Sequence, residues 1–181
     1  GRGYASTIGS TYRPIDRSDP RVRYGVLVSS PMTTLIPPHG GRGLRPLALE
    51  PADAAEAMRR AQTLPRLAVT SREKGDLIML GIGGFTPLDG FMSRADWAGV
   101  CDDMRTSAGT FWPIPITLST DSSTAREIAE GREIGLVDPD DGSVLALMTV
   151  HEKYRIDKAH ECMSVFRTVD AAHPGVQMVM R

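Results

Sequence analysis

A glycine-rich turn can bring several backbone N–H groups close to an anion, and the run Leu80-Gly81-Ile82-Gly83-Gly84-Phe85 is where this sequence invites that chemistry. Its context does not continue as a phosphate loop. A dinucleotide fingerprint places its third glycine inside the start of a helix, and a nucleotide P-loop closes on Gly-Lys-Ser/Thr; here Thr86-Pro87-Leu88 follows. Glycine's tolerance of positive φ accounts for the same residues as a strand-ending turn. Gly40-Gly41-Arg42-Gly43 reads as a turn on the same grounds.

Metal and thiol chemistry are equally thin. Of the four histidines, His39, His151, His160 and His173, only His160 lies near a thiol, that of Cys162. Structural zinc sites need four ligands in closely spaced pairs, and two residues set two apart on a helix point in different directions. A surface histidine and a core cysteine are the expected uses. No Gly-x-Ser-x-Gly elbow occurs, and neither Cys101 nor Cys162 carries the local signature of an activated thiol. Asp102, Asp103, Asp140 and Asp141 are neighbours in sequence only, whereas acid/base work needs two carboxyls in different environments. Phe111-Trp112-Pro113 is the densest aromatic patch; without adjacent cations it suits core packing better than base stacking.

The elements that would position these groups follow from periodicity and punctuation. Pro51 suits the first turn of a helix that ends before Pro65, with Ala54, Met58 and Ala61 on one face. Residues 66–70 and the apolar run 77–82 read as strands. Ser93 caps a second helix whose Trp97, Val100, Cys101 and Met104 recur at i, i+3, i+4 and i+7. Residues 114–118 read as an edge or bulged strand, because Pro115 removes a ladder donor. Residues 125–130 form a short helical turn. Residues 134–137 and 144–150 then make a hairpin whose Asp141-Gly142 supplies the positive φ angles of a tight connection. Asp157 caps a third helix with Ala159, Cys162, Met163 and Phe166 on one face, and residues 176–180 begin a further strand. Within the first thirty residues only 24–28 read as a strand. Together these elements predict an α+β domain with a mixed, largely antiparallel sheet and short flanking helices.

Composition sets the outer bounds. With 181 residues, 41% hydrophobic and 24% charged, the chain is long enough to bury a core without disulfide or metal support. No apolar run approaches the roughly 20 residues that cross a bilayer. Two isolated cysteines fit a reducing compartment, so the expected location is cytoplasmic. The net charge of −1 excludes a globally basic nucleic-acid binder. Residues 1–45 nevertheless hold seven basic and two acidic side chains, net +5, against fourteen and twenty, net −6, in the remainder. Residues 1–34 therefore read as an irregular, basic, solvated leader.

Four segments add a resemblance. Leu35-Ile36-Pro37-Pro38-His39-Gly40-Gly41; Phe85-Thr86-Pro87-Leu88-Asp89-Gly90-Phe91-Met92; Phe111-Trp112-Pro113-Ile114-Pro115-Ile116-Thr117-Leu118; and Val165-Phe166-Arg167-Thr168-Val169-Asp170 leading into His173-Pro174-Gly175-Val176 occur in this order. In that order and at those separations they resemble the amino-terminal domain of ATP sulfurylase (sulfate adenylyltransferase). The resemblance covers residues 35–181 and implies a PUA-like pseudo-barrel that precedes a nucleotide-binding catalytic domain. The parent enzyme joins ATP and sulfate to give adenosine 5′-phosphosulfate and pyrophosphate, with magnesium on the nucleotide.

The resemblance also implies what is missing. The family's catalytic groups lie in a Gln-x-Arg-Asn segment running into His-x-x-His, and neither pattern occurs here. No catalytic, cofactor-binding or metal-ligating residue is therefore carried over; Mg-ATP is expected for the parent and no cofactor for this chain. The expected partners are the catalytic domain of the parent and further copies of the chain, with neither membrane nor nucleic acid. Whether the chain is a fragment, a split subunit or a regulatory paralogue is left open by its residues. The competing reading is a stand-alone PUA-like RNA-binding module that tracks phosphates with its basic arm.

Overall fold

The computed structural model describes residues 4–7, 36–41 and 43–180. The strand expected at 24–28 falls outside them, and Tyr4–Thr7, read from sequence as part of an irregular leader, is instead a strand paired on both sides. In chain order the described elements are β1 (Tyr4–Thr7), α1 (Pro51–Ala61), β2 (Arg66–Ala68), α2 (Ser71–Gly81), α3 (Arg94–Asp103), β3 (Leu118–Thr120), α4 (Ser122–Glu127), β4 (Glu133–Val137), β5 (Val144–Thr149), β6 (Glu152–Tyr154), α5 (Lys158–Phe166) and α6 (Pro174–Met180). They build two three-stranded sheets, ordered β3-β1-β6 and β2-β4-β5. Only β2–β4 is parallel among the described pairings; β1–β3, β1–β6 and β4–β5 are antiparallel, so the mixed and mostly antiparallel α+β reading holds. The described strands do not close into one barrel.

The β4–β5 hairpin sets Ile134 opposite Met148 and Leu136 opposite Ala146. Its connection is longer than a tight Asp-Gly turn. Asp138 N–H donates to the Ser143 carbonyl at 2.9 Å and Gly142 N–H to the Asp138 carbonyl at 2.9 Å, and of the pair Asp141-Gly142 only Gly142 takes a positive φ, 72°. Lys74 of α2 forms an ion pair with Asp138 at the base of this loop.

Three expected strands are corrected. Residues 77–82 are the last turns of α2 and its exit, not a strand. Thr70 and Glu73 form a capping box: Glu73 N–H donates to Thr70 Oγ1 while Thr70 N–H donates to the Glu73 side chain, which commits the following residues to a helix. The apolar run then divides by helical period, with Leu80 buried and Ile78 57% exposed. Of residues 114–118 only Leu118 enters a strand. Pro113 and Pro115 remove two ladder donors, and the segment is held instead by Met92 N–H donating to the Ile116 carbonyl at 2.8 Å. Residues 176–180 belong to α6, which starts at Pro174, a residue whose φ suits a first helical turn.

Helix boundaries were more legible than helix faces. Ser93 accepts from Asp96 N–H at the start of α3, and Asp157 accepts from His160 N–H at the start of α5, as expected. In α1 the buried face is Ala57 and Ala61, with Met58 turned outward. In α3, Trp97, Val100 and Cys101 are buried, but Met104 is the left-handed C-cap and lies exposed. In α5 Cys162 is buried beside Glu161, whereas Ala159 and Met163 face out.

The main core gathers Leu67, Val69, Phe91, Met92, Trp112, Leu118, Ile134 and Leu136, among others, from both sheets and α3. Two buried carboxylates work at its margins. Glu73, 1% exposed, accepts from Thr70 N–H at 2.7 Å, Thr70 Oγ1–H at 2.8 Å and Ser119 N–H at 2.7 Å. It thereby links the end of β2 in one sheet to β3 in the other. Glu161, 5% exposed, accepts from Trp97 Nε1–H at 2.7 Å and joins α5 to α3. Burial pushes the Glu161 carboxyl above its ordinary value, against the lowering influence of Trp97, Arg72 and Lys158.

Removing Glu73 leaves two partly buried backbone donors, Thr70 N–H and Ser119 N–H, without their acceptor. Glu73→Ala is expected to cost about 2–4 kcal/mol of unfolding free energy, and Glu73→Gln clearly less, since each unsatisfied donor costs roughly 1–3 kcal/mol; urea denaturation of the three proteins measures both. For Glu161, a raised folded-state value means the folded chain holds the proton more tightly than the unfolded chain does. Stability therefore falls as pH rises from the ordinary glutamate value of 4.5 through the raised value. Glu161→Gln keeps an oxygen for the Trp97 indole and is expected to abolish that decline. An unchanged pH profile in the variant would assign the decline to another group.

Candidate functional site

Three of the four segments singled out in the sequence meet at one junction. Trp112 is mostly buried, and its ring stands 5.7 Å from that of Phe85, edge to face, and 5.9 Å from that of His39. His39 Nε2 is hydrogen-bonded to the Phe111 carbonyl at 2.6 Å, so residues separated by 72 positions close on each other. Arg45 seals the same contact from the other side. Its N–H donates to Thr86 Oγ1 at 3.0 Å, its Nη1 donates to the Pro87 carbonyl at 3.2 Å, and its Nη2 lies 3.8 Å from Asp89 Oδ2. Thr86 Oγ1–H donates in turn to the Gly83 carbonyl at 2.7 Å. Around this junction Ile36, Phe111 and Ile114 remain exposed. The fourth segment lies elsewhere, at the α5–α6 turn, where the rings of Phe166 and His173 approach to 5.0 Å.

The contacts at the junction hold chain segments together. The His39 ring nitrogen is engaged by main chain, the Thr86 hydroxyl by another carbonyl, and Arg45 by Asp89 and Pro87. Two glycines of the cluster are packed against protein: a Cβ at Gly83, where φ is 78°, would meet Pro46 N at 3.0 Å, and one at Gly84 would meet Met79 Cε at 2.5 Å, whereas one at Gly81 would meet nothing within 4 Å. The cluster terminates α2, rather than a strand as the sequence suggested.

The other groups considered from sequence are separately engaged. His160 Nε2 lies 2.7 Å from Asp102 Oδ1 on the surface, while Cys162 points inward. Burial, reinforced by Glu161 and Asp102, pushes the Cys101 thiol up to about 12, and burial likewise raises Cys162; neither is a thiolate near neutrality. Asp140 and Asp141 lie in the hairpin loop, where Asp140 N–H donates to Asp138 and Asp141 accepts from Ser143 N–H. The Ser143 contacts hold the Asp141 carboxyl below its usual range. Among the described residues no group of three or more His, Cys, Asp or Glu side chains is placed to hold a metal ion.

Sequence reasoning missed Arg45 and the partners of Trp112. The proline and glycine punctuation of residues 37–41, 86–90 and 113–115 marks all three as non-repetitive strands of chain, but nothing local says that they meet.

Comparison with known proteins gives this geometry a family. Residues 36–181 match the model of a PUA-like domain. The chain is 57% identical over 150 residues to the sulfate adenylyltransferase of Thiobacillus denitrificans, a match covering 82% of this chain and 36% of that protein. It is 55% identical over 152 residues to the sulfate adenylyltransferase of a Psychrobacter species and 56% identical over 151 residues to that of Syntrophobacter fumaroxidans, with similar coverage. Among solved structures it resembles a hexameric APS kinase from Thiobacillus denitrificans, with a TM-score of 0.57 and 35% identity over 64% of this chain and 23% of the other. The chain thus spans about a third of the length of the curated relatives it matches, and the matched part is amino-terminal. The segments that converge on Trp112, the mixed sheet and the family match lead to one assignment: the chain belongs to the PUA-like domain family, in the form found in the amino-terminal part of sulfate adenylyltransferases.

Proposed function

We propose that the chain is the non-catalytic amino-terminal domain, residues 35–181 with a basic leader before it, of a sulfate adenylyltransferase that forms adenosine 5′-phosphosulfate and pyrophosphate from ATP and sulfate. The observation that carries this reading is the 57% identity over 82% of the chain, which reaches only 36% of the relative's length. Transfer at an α-phosphate requires several donors and cations converging on developing charge. The reading is supported by the packing of Gly83 and Gly84 against Leu44, Pro46 and Met79 and by the pairing of Arg45 with Asp89 at the motif junction.

Mg-ATP would then be bound by the remaining two-thirds of the parent, to which this domain lends a rigid neighbour. The catalytic portion of the parent is the first partner, and further copies of the chain the second, in keeping with the hexameric state named for the structural neighbour. A cytoplasmic setting accords with two free cysteines, and no helix of the described residues is long and apolar enough to cross a membrane. The RNA-binding alternative gains nothing from these relatives.

A pyrophosphate-release assay with ATP, sulfate and magnesium is expected to show no turnover by this chain alone. Exchanging the matching stretch of the Thiobacillus denitrificans enzyme for this chain is expected to retain activity within about tenfold, a loss of roughly 1.4 kcal/mol at most. Turnover by the chain alone, or a folded but dead chimera, contradicts the proposal.

A further inference from the structure

We infer that α5, with α6 packed on it, is a pH-operated clasp: through His160 and Glu161 it grips α3 in mildly acidic solution, and it opens from α3 locally, ahead of any unfolding of the sheets, as pH rises. The grip has two neighbouring prongs. His160 Nε2 lies 2.7 Å from Asp102 Oδ1, and Glu161 Oε2 accepts from Trp97 Nε1–H at 2.7 Å. Trp97 serves both, since its ring stands 6.0 Å from the His160 ring, edge to face.

Little else holds the two helices down. The buried residues of α5 are Glu161 and Cys162, and that of α6 is Val176. The helices pack on each other instead: the rings of Phe166 and His173 approach to 5.0 Å, and a Cβ at Gly175 would meet Phe166 Cε1 at 2.6 Å. Elements with few buried apolar contacts open before the rest of a fold, and here α6 travels with α5.

Both prongs respond to pH in the same sense. Burial raises the Glu161 carboxyl, outweighing the lowering influence of Trp97, Arg72 and Lys158. Arg72 is not dedicated to it. The guanidinium donates to the Thr117 carbonyl at 3.0 Å, lies 3.9 Å from Glu73 Oε1 and faces Asp76, whose carboxyl burial also raises. A cavity of about 80 Å³ touches Glu73, Arg72, Lys158 and Glu161 and is flanked on the α6 side by Met178 and Val179. The sequence of α6 brings no charge to it. Cys101 of α3 and Cys162 of α5 also face this carboxyl, both kept as thiols by burial. Ionising Glu161 thus puts charge where water is excluded, a cost that opening relieves. The closed arrangement is favoured below the ordinary glutamate value of 4.5, and that advantage is lost as pH rises through the raised value. Histidine is the side chain whose charge changes nearest neutrality, and a neutral His160 forfeits the charge-assisted part of its bond to Asp102.

Native-state hydrogen exchange on the whole chain tests the clasp, read at the α5 amides, the Trp97 indole and the β4 amides, at about pH 5 and about pH 8, without and with mild urea. After correction for intrinsic exchange, protection of the α5 amides and the Trp97 indole is expected to fall about tenfold toward the higher pH. That fall should be insensitive to urea, the mark of an opening that exposes little surface, whereas the β4 amides respond to urea as global unfolding requires. Glu161→Gln, which keeps an acceptor for Trp97, is expected to remove most of the fall. Asp102→Asn, at an exposed position, is expected to remove about a twofold part of it, and the double variant all of it. The inference is overturned if α5 protection is the same at both pH values, if it follows β4 in urea, or if the fall persists in the double variant or, independently, is untouched by Asp102→Asn.

Discussion

One ionisable side chain, Glu73, holds the two sheets in their mutual arrangement. It sits almost completely buried between Thr70, two residues beyond β2, and the middle of β3, and its two oxygens take three hydrogen bonds from them. A buried carboxylate is tolerable only when donors surround it, and these donors come from segments nearly fifty residues apart. The same residue caps α2, so helix start, sheet spacing and core boundary are fixed by one group. That coupling ties the start of α2 to β3, while its last turn leads into the Gly83–Thr86 corner of the motif junction.

The junction shows how recognisable sequence signatures can serve to hold chain segments together. His39, Phe85 and Trp112 interlock, and Arg45 ties the strap of residues 39–45 to the 83–89 turn. Each of those polar groups is consumed by an intramolecular partner. Beside the exposed His39, Arg45 and Asp89, the apolar Ile36, Phe111 and Ile114 also lie at the surface, a mixture suited to contact with another protein surface. On the proposed function, such a domain needs firm positioning of its own turns and a face toward its neighbour.

Much of the architecture was legible in residue order. Ser93 and Asp157 mark helix starts because short polar side chains satisfy free N–H groups there, and Gly142 marks the hairpin because its φ is positive. The run 77–82 misled, since a short apolar stretch fits a buried strand or a helix equally; the Thr70-x-x-Glu73 box was the signal that decides it. Residues 176–180 misled through their β-branched valines, though Pro174 at the start favours a helix. Helical faces drifted by one position in α1 and α5 because alanine and methionine are indifferent to exposure. The junction was illegible as a site, since contacts such as His39 with Phe111 join segments far apart in sequence. The resemblance of the segments flagged them as a set, and only the fold shows why they belong together.

The one parallel pairing among the described strands has a consequence for how the domain comes into being. Arg66–Ala68 must wait for Gly135–Val137, its partner strand, before it can join the β4–β5 hairpin in a sheet. During synthesis everything between them leaves the ribosome first, with the apolar faces of α2 and α3 lacking their floor. Compaction is thus a late event, gated by emergence of the hairpin, and the nascent chain passes through a vulnerable interval in which chaperones that shield bare hydrophobic surface have most to do.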